Sequence, residues 1–194
     1  MALEKIGKFA ALSAAAFALA ACSSTLKTAE LNATGRFDTG ASVDPGSLTI
    51  AAPYSAQRYG KMAVVLNFTE NRTINSFFHD SIANSRKFQN VYSETELERY
   101  VIQQQIEGVT DTSSLLSLNK LAQKIGPFLV LKPYVEPKGG YRVTASLEAI
   151  DAQTSQTVFK AEKSVTNWAG LDRPLLYPLF NAFIDWTEGR PAPA

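Results

Sequence analysis

Residues 115–149 read LLSLNKLAQKIGPFLVLKPYVEPKGGYRVTASLEA, and the change of period within this stretch decides the fold. Leu115, Leu118, Leu121, Ala122 and Ile125 recur at three- and four-residue spacing, which predicts a helix capped by Thr112 or Ser113 and stopped by Gly126-Pro127. The apolar run that follows, residues 128–136, is too short for a typical helix and reads as a strand. Pro133 removes one ladder donor there and predicts a bulge or a poorly paired end. Lys138-Gly139-Gly140 then reads as a hairpin turn, because adjacent glycines reach the positive backbone angles of primed turns. In the next strand Tyr141, Val143, Ala145, Leu147 and Ala149 share one side, while Arg142, Thr144, Ser146 and Glu148 share the other. One sheet face is therefore dry and the other partly wet.

Downstream, residues 156–166 return with Thr157, Phe159, Ala161 and Val165 on one side, completing a three-stranded antiparallel meander. Residues 171–186 carry Leu175, Leu176, Leu179, Phe180, Phe183 and Ile184 at helical spacing, with Pro178 as either a first-turn residue or a kink. Residues 188–194 read as a frayed tail.

Upstream, residues 61–68 form a continuous Val-rich apolar run, expected as a buried strand that opens the domain. Residues 69–73 form a loop, and a short helix follows over 74–85 on the face of Phe77, Phe78 and Ile82. Residues 88–92 give the next strand. Ser93-Glu-Thr-Glu96 is a capping box, so a helix starts there, with Leu97, Tyr100, Val101 and Gln104 inward and Gly108 as its end. The order is strand, helix, strand, helix, helix, three strands, helix. It predicts a single α/β domain over residues 61–187 with helices packed on a mixed sheet.

Residues 22–60 are rich in Ser, Thr, Ala and Gly and read as a flexible tether, with residues 47–50 as a short edge strand at most. Some 38 flexible residues have an r.m.s. reach of roughly 30–40 Å.

At the amino terminus Lys5 and Lys8 precede an apolar stretch over residues 9–20, the charged and hydrophobic regions of a secretory signal. A membrane span is the competing reading and fails on length, since about 20 apolar residues are needed. The signal ends in Leu19-Ala20-Ala21-Cys22, which resembles the lipobox of bacterial lipoproteins. That resemblance implies diacylglycerol on the Cys22 sulfur, cleavage between Ala21 and Cys22, and acylation of the new amino group. Several acyl chains anchor stably where one anchors only marginally. Ser23 after the cysteine, where Asp would retain an enterobacterial lipoprotein in the inner membrane, implies the periplasmic face of the outer membrane.

Other function classes are excluded or disfavoured by composition. The 19 basic and 18 acidic residues balance once the signal takes Lys5, Lys8 and Glu4, and no Lys/Arg run exists, so nucleic acid is not an expected partner. Cys22 is the only cysteine and His79 the only histidine, which removes internal disulfides and multi-histidine metal sites. The glycine pair sits between two strands, so it is not a phosphate loop. Glu94, Glu96 and Glu98 are explained by the helix start they surround. Neither a catalytic residue nor a cofactor is expected. The Asn-x-Thr triplets at Asn32, Asn67 and Asn71 read as chance in a bacterial chain. Among aromatics, Tyr141 and Trp186 read as core, Tyr134 and Tyr177 are weighed as contact residues, and Trp168, in a polar turn-like stretch, is open between core and partner contact.

Met62-Ala-Val-Val-Leu-Asn-Phe68, Phe88-Gln-Asn-Val-Tyr-Ser-Glu-Thr-Glu-Leu97, and Leu121-Ala-Gln-Lys-Ile-Gly126 followed by Phe128-Leu-Val-Leu131 carry a second resemblance. They resemble the periplasmic lipoprotein superfamily of CsgG-like curli-secretion proteins, LpoB-like activators of peptidoglycan synthases, PelC-like polysaccharide-export proteins and the TolB amino-terminal domain. The resemblance implies a non-enzymatic accessory or activator of envelope machinery with an envelope protein as partner. The alternative it carries is a homo-oligomeric accessory of a polysaccharide or curli-like export complex. No stretch resembles the long amphipathic hairpins that form a secretion barrel.

Overall fold

All four residues of Met62–Val65 are buried, which a strand achieves only when both faces of its sheet are covered. The computed structural model describes Leu26, residues 30–166 and residues 172–190. The signal, Ala21, Cys22, Trp168 and Pro191–Ala194 lie outside those residues. The chain runs β1 (Leu48–Ile50), α1 (Ala56–Tyr59), β2 (Met62–Val65), α2 (Arg72–Asn84), β3 (Asn90–Ser93), α3 (Glu94–Gln103), α4 (Leu115–Ile125), β4 (Leu129–Pro137), β5 (Arg142–Asp151), β6 (Gln156–Thr166) and α5 (Tyr177–Thr187). The sheet order is β1-β6-β5-β4-β2-β3. β2 is parallel to β3 and β4, and the remaining pairs are antiparallel. The single mixed α/β domain expected from the periodicity is the observed fold.

Alternation along β2 assigns its residues to two cores. Ala63 and Val65 join Leu129, Leu131, Leu147 and Phe159 under α2 and α5, where Phe78, Phe180 and Phe183 are buried. Met62 and Val64 join Val130 and Ile150 under Leu97 and Val101 of α3 and Leu118, Leu121 and Ala122 of α4. The result is three layers, with helices on both sides of the parallel part of the sheet.

Pro133 is accommodated without a break in register, since it pairs with Leu147. Leu131 O accepts from Leu66 N, so by strand alternation the Pro133 nitrogen faces the same edge, beyond the end of β2. No ladder bond is lost there. Pro178 lies in the first turn of α5, where amides have no intrahelical partner in any case. A π-helical turn, Asp172–Leu176, leads into it.

Several expectations are corrected. α3 ends at Gln103, not at Gly108. Gln105 takes the left-handed position at φ 52°, with Ile106 N donating to Val101 O and Gln105 N to Ile102 O. That is a Schellman closure built on a non-glycine residue, with Ile106 packed on the α3/α4 core. α4 is preceded by Ser114 rather than capped by Thr112 or Ser113, and its Leu115 and Ile125 are exposed at the two ends of its apolar face. Tyr141 is not a core strand residue. It extends the glycine turn at φ 63° and is 72% exposed.

The largest correction concerns the tether. From residue 30 onward the segment is packed on the domain. Phe37 and Val43 belong to the α2/α5 core. Asn181 brackets the Phe37 backbone, accepting from Phe37 N at 2.8 Å and donating to Phe37 O at 3.0 Å. The Phe37 ring stacks on Tyr177 and meets Phe180. Arg36 pairs with Asp185 and Glu188 at one end of α5, and Thr39 Oγ1 donates to Arg173 O before its other end. β1 pairs with β6, and Tyr59 of α1 is buried. These anchors form a strap with no repeating period, because each finds its partner far along the chain. The expected tail is corrected at its start for the same reason, since Glu188 pairs with Arg36, Lys87 and Arg190.

Asp151 fixes the first part of the chain to the β5–β6 turn. Its side chain is 4% exposed. Oδ2 accepts from Arg58 Nε (3.0 Å), Arg58 Nη2 (2.7 Å) and Tyr59 Oη (2.8 Å), and Oδ1 from the amides of Gln153 (2.8 Å) and Thr154 (3.2 Å). Burial opposes its charge, but the Tyr59 hydroxyl, Arg58 and the two amides outweigh it and hold the carboxyl below the usual carboxylate range.

Two outcomes are expected. Phe37→Ala removes a fully buried ring and costs about 3–5 kcal/mol, read as a lowered urea midpoint of the mature domain; a flexible tether would give no change. Asp151→Asn costs about 1–3 kcal/mol at neutral pH by leaving buried donors poorly matched. Because the folded-state pKa is depressed, the wild-type contribution is present above the unfolded value and disappears as pH falls through the folded one. The gap between wild type and Asp151→Asn in denaturant titrations therefore closes in strong acid.

Candidate functional site

In an open α/β sheet the chain leaves neighbouring parallel strands toward opposite faces, and the loops part at their carboxyl ends. Here β2 leads into α2 on one face and β3 leads into α3 on the other. The recess between them is open and measures about 540 Å³, with Asn67, Arg72, Asn75, His79, Ser93 and Glu96 among its lining residues.

Its walls are the starts of two helices. Asn71 caps α2 by accepting from the Thr73 and Ile74 amides at 3.0 and 3.4 Å. The capping box foreseen at Ser93 and Glu96 caps α3, with Ser93 N donating to Glu96 Oε2 at 2.8 Å and Glu96 N to Ser93 Oγ at 3.4 Å. Asn67 donates from its backbone and side-chain nitrogens to the two oxygens of Glu94, at 2.8 and 2.9 Å. Asn75 Nδ2 donates to Thr69 O at 2.7 Å and holds the intervening loop.

His79 is half-buried on α2 and spans the recess. Nδ1 lies 3.0 Å from Asp80 Oδ1, while Nε2 lies 3.2 Å from Glu96 Oε2 and 3.3 Å from Val91 O. The Glu96 and Val91 oxygens tie the ring to the start of α3 and to β3. Burial raises the Glu96 pKa, but the Ser93 amide and hydroxyl, His79 and Arg99 together hold it below the ordinary range. Asn67, Asn75 and His79 tie the loop, α2, β3 and the start of α3 together, while Asn71 and the Ser93–Glu96 box close the helix starts. Among the described residues no group of three His, Cys, Asp or Glu side chains is placed to hold a metal ion.

Comparison with known proteins gives likenesses of structure only. No protein-family model matches the sequence, and no curated protein does. The LpoB C-terminal domain from Salmonella enterica is 13% identical, with 56% of this chain and 84% of that one aligned at a TM-score of 0.36. A lipoprotein from Neisseria meningitidis is 18% identical over 57% of this chain and 82% of its own, also at 0.36. The PelC dodecamer from Paraburkholderia phytofirmans is 19% identical over 62% and 80%, at 0.31.

Of the residues singled out in the sequence, Ala21, Cys22 and Trp168 lie outside the described residues. Trp186 is buried, as expected, and its Nε1 donates to Ala52 O at 2.9 Å. Tyr177 is buried in the α2/α5 core and is not a contact residue. Tyr134 is exposed, and Tyr141 joins it rather than the core. The three Asn-x-Thr triplets acquire a physical role. Asn32 Oδ1 accepts from Thr34 N and Arg36 N and Asn71 caps α2, both short-range turn chemistry, while Asn67 ties the loop after β2 to Glu94, 27 residues on. The outward side of α3 and α4 exposes Ile102 and Leu116 at 68% and 67%. Sequence periodicity passed over both, because they fall outside the inward stripe.

Ser93→Ala is expected to cost about 1 kcal/mol and to speed hydrogen exchange of the Glu96 amide, leaving the first turn of α2 unaffected. Unchanged exchange at Glu96 would mean that the box contributes nothing to the recess.

Proposed function

We propose that this chain is a periplasmic lipoprotein anchored to the outer membrane by acyl chains on Cys22, acting as a non-enzymatic accessory or activator of cell-envelope machinery of the peptidoglycan-synthase-activator type. The observation that carries the proposal is the signal ending in Leu19-Ala20-Ala21-Cys22, with Ser23 next to the acylated residue. Support for a non-enzymatic role comes from the recess. His79, Glu94, Glu96, Asn67 and Asn75 are committed to bonds that hold the fold. The working part of such a protein is a surface, and Ile102 and Leu116 on the α3/α4 layer and Tyr134 on β4 are exposed anchors of the kind that bury well against a partner. Trp168 belongs to the same proposal as a partner contact.

The test is in two parts. Intact mass of the membrane-extracted protein is expected to show an N-terminal acylated Cys22, and Cys22→Ala to abolish membrane association. Crosslinking in native envelopes is expected to capture an envelope protein, and Leu116→Asp to reduce that capture at least tenfold without changing the fold. Mass photometry of the acylated protein separates the alternative, an oligomeric export accessory: a discrete ring supports that alternative and a single-copy particle supports the accessory role.

A further inference from the structure

We infer that the protein works flush against the bilayer, its α2/α5 side next to the membrane and its α3/α4 side turned away. The inference rests on the acylation proposed above and adds the face of the domain that meets the lipid. It begins where the chain first touches the core. Leu26 and Leu31 pack against the α2/α5 core, beside a strap pinned by Phe37 and Arg36. Leu26 is four residues beyond Cys22. A fully extended chain gains at most about 3.6 Å per residue, so the acylated cysteine lies within roughly 14 Å of Leu26 whatever path the chain takes.

The layer order turns that bound into an orientation. Leu26 packs on the α2/α5 side of the sheet, and α3 and α4 form the layer beyond the sheet. Each packed layer adds roughly 10 Å, so the α3/α4 layer sits about 20 Å beyond the α2/α5 layer. Laying that outer layer flat on the lipid would lift Leu26 about 20 Å from it, farther than a leash of about 14 Å allows while Leu26 keeps its packing. The reach of roughly 30–40 Å that a 38-residue tether would provide is absent, since most of those residues are built into the domain. A partner is therefore met beside the membrane, on the α3/α4 side where Ile102 and Leu116 are exposed.

The experiment uses full-length acylated protein in vesicles of phosphatidylethanolamine and phosphatidylglycerol carrying a headgroup-linked acceptor dye. A donor dye is attached through Ala83→Cys on α2 or Lys120→Cys on α4, both exposed positions. Energy transfer is expected to be at least twofold stronger from position 83. Inserting twenty Gly/Ser residues after Ser24 is expected to erase most of the difference. Equal transfer from the two positions, or stronger transfer from 120, overturns the orientation while leaving anchoring intact. Loss of vesicle association together with an unacylated Cys22 in the mass spectrum overturns the anchoring itself.

Discussion

A four-residue strand excluded from solvent on both faces cannot hold its place alone, and Met62–Val65 is such a strand. It needs a parallel neighbour on each edge and a helical layer on each face, and the remainder of the chain supplies them. β3 and β4 flank it in register, α2 and α5 cover Ala63 and Val65, and α3 and α4 cover Met62 and Val64. Parallel pairing demands crossovers, and the two crossovers leave toward opposite faces, which creates the polar recess at the strand ends.

The two faces are unequal. The α2/α5 side is dominated by aromatic packing, in which Phe37 and Phe78 meet Phe180, Phe77 stacks on Tyr177 and Phe183 meets Trp186, in stacked, tilted and edge-to-face pairs. Such pairs add to simple area burial and fix geometry. The α3/α4 side is mainly aliphatic, with Phe128 as its one buried phenylalanine, and leaves Ile102 and Leu116 in solvent. This asymmetry gives the domain one side that receives its own amino-terminal strap and another that leaves apolar side chains in solvent.

Legibility in the sequence followed the range of the interactions. The leucine period of α4, the alternation of β5 and the Ser93–Glu96 box depend on neighbours within a few residues, and each emerged where its pattern placed it. Phe37 was not legible, because its partners Asn181, Tyr177 and Phe180 lie about 140 residues away and the residues around it have no period. Tyr141 followed the alternation of β5, yet the turn took one more residue than its two glycines and left the ring outside. Asp151 carries a common turn signal, an aspartate whose carboxylate accepts from the amides two and three residues on. Its long-range ties to Arg58 and Tyr59 have no local trace.

As part of the cooperative fold the strap shortens the proposed leash and sets the proposed orientation of the domain. Native-state hydrogen exchange of the mature domain tests that membership most directly. The Phe37 amide, donated to Asn181, should exchange only with the opening that exposes the Val64 amide of the central strand, giving the two the same protection and the same denaturant dependence. Exchange at Phe37 faster by orders of magnitude, with Val64 still protected, would show a strap that detaches on its own and cannot orient the domain.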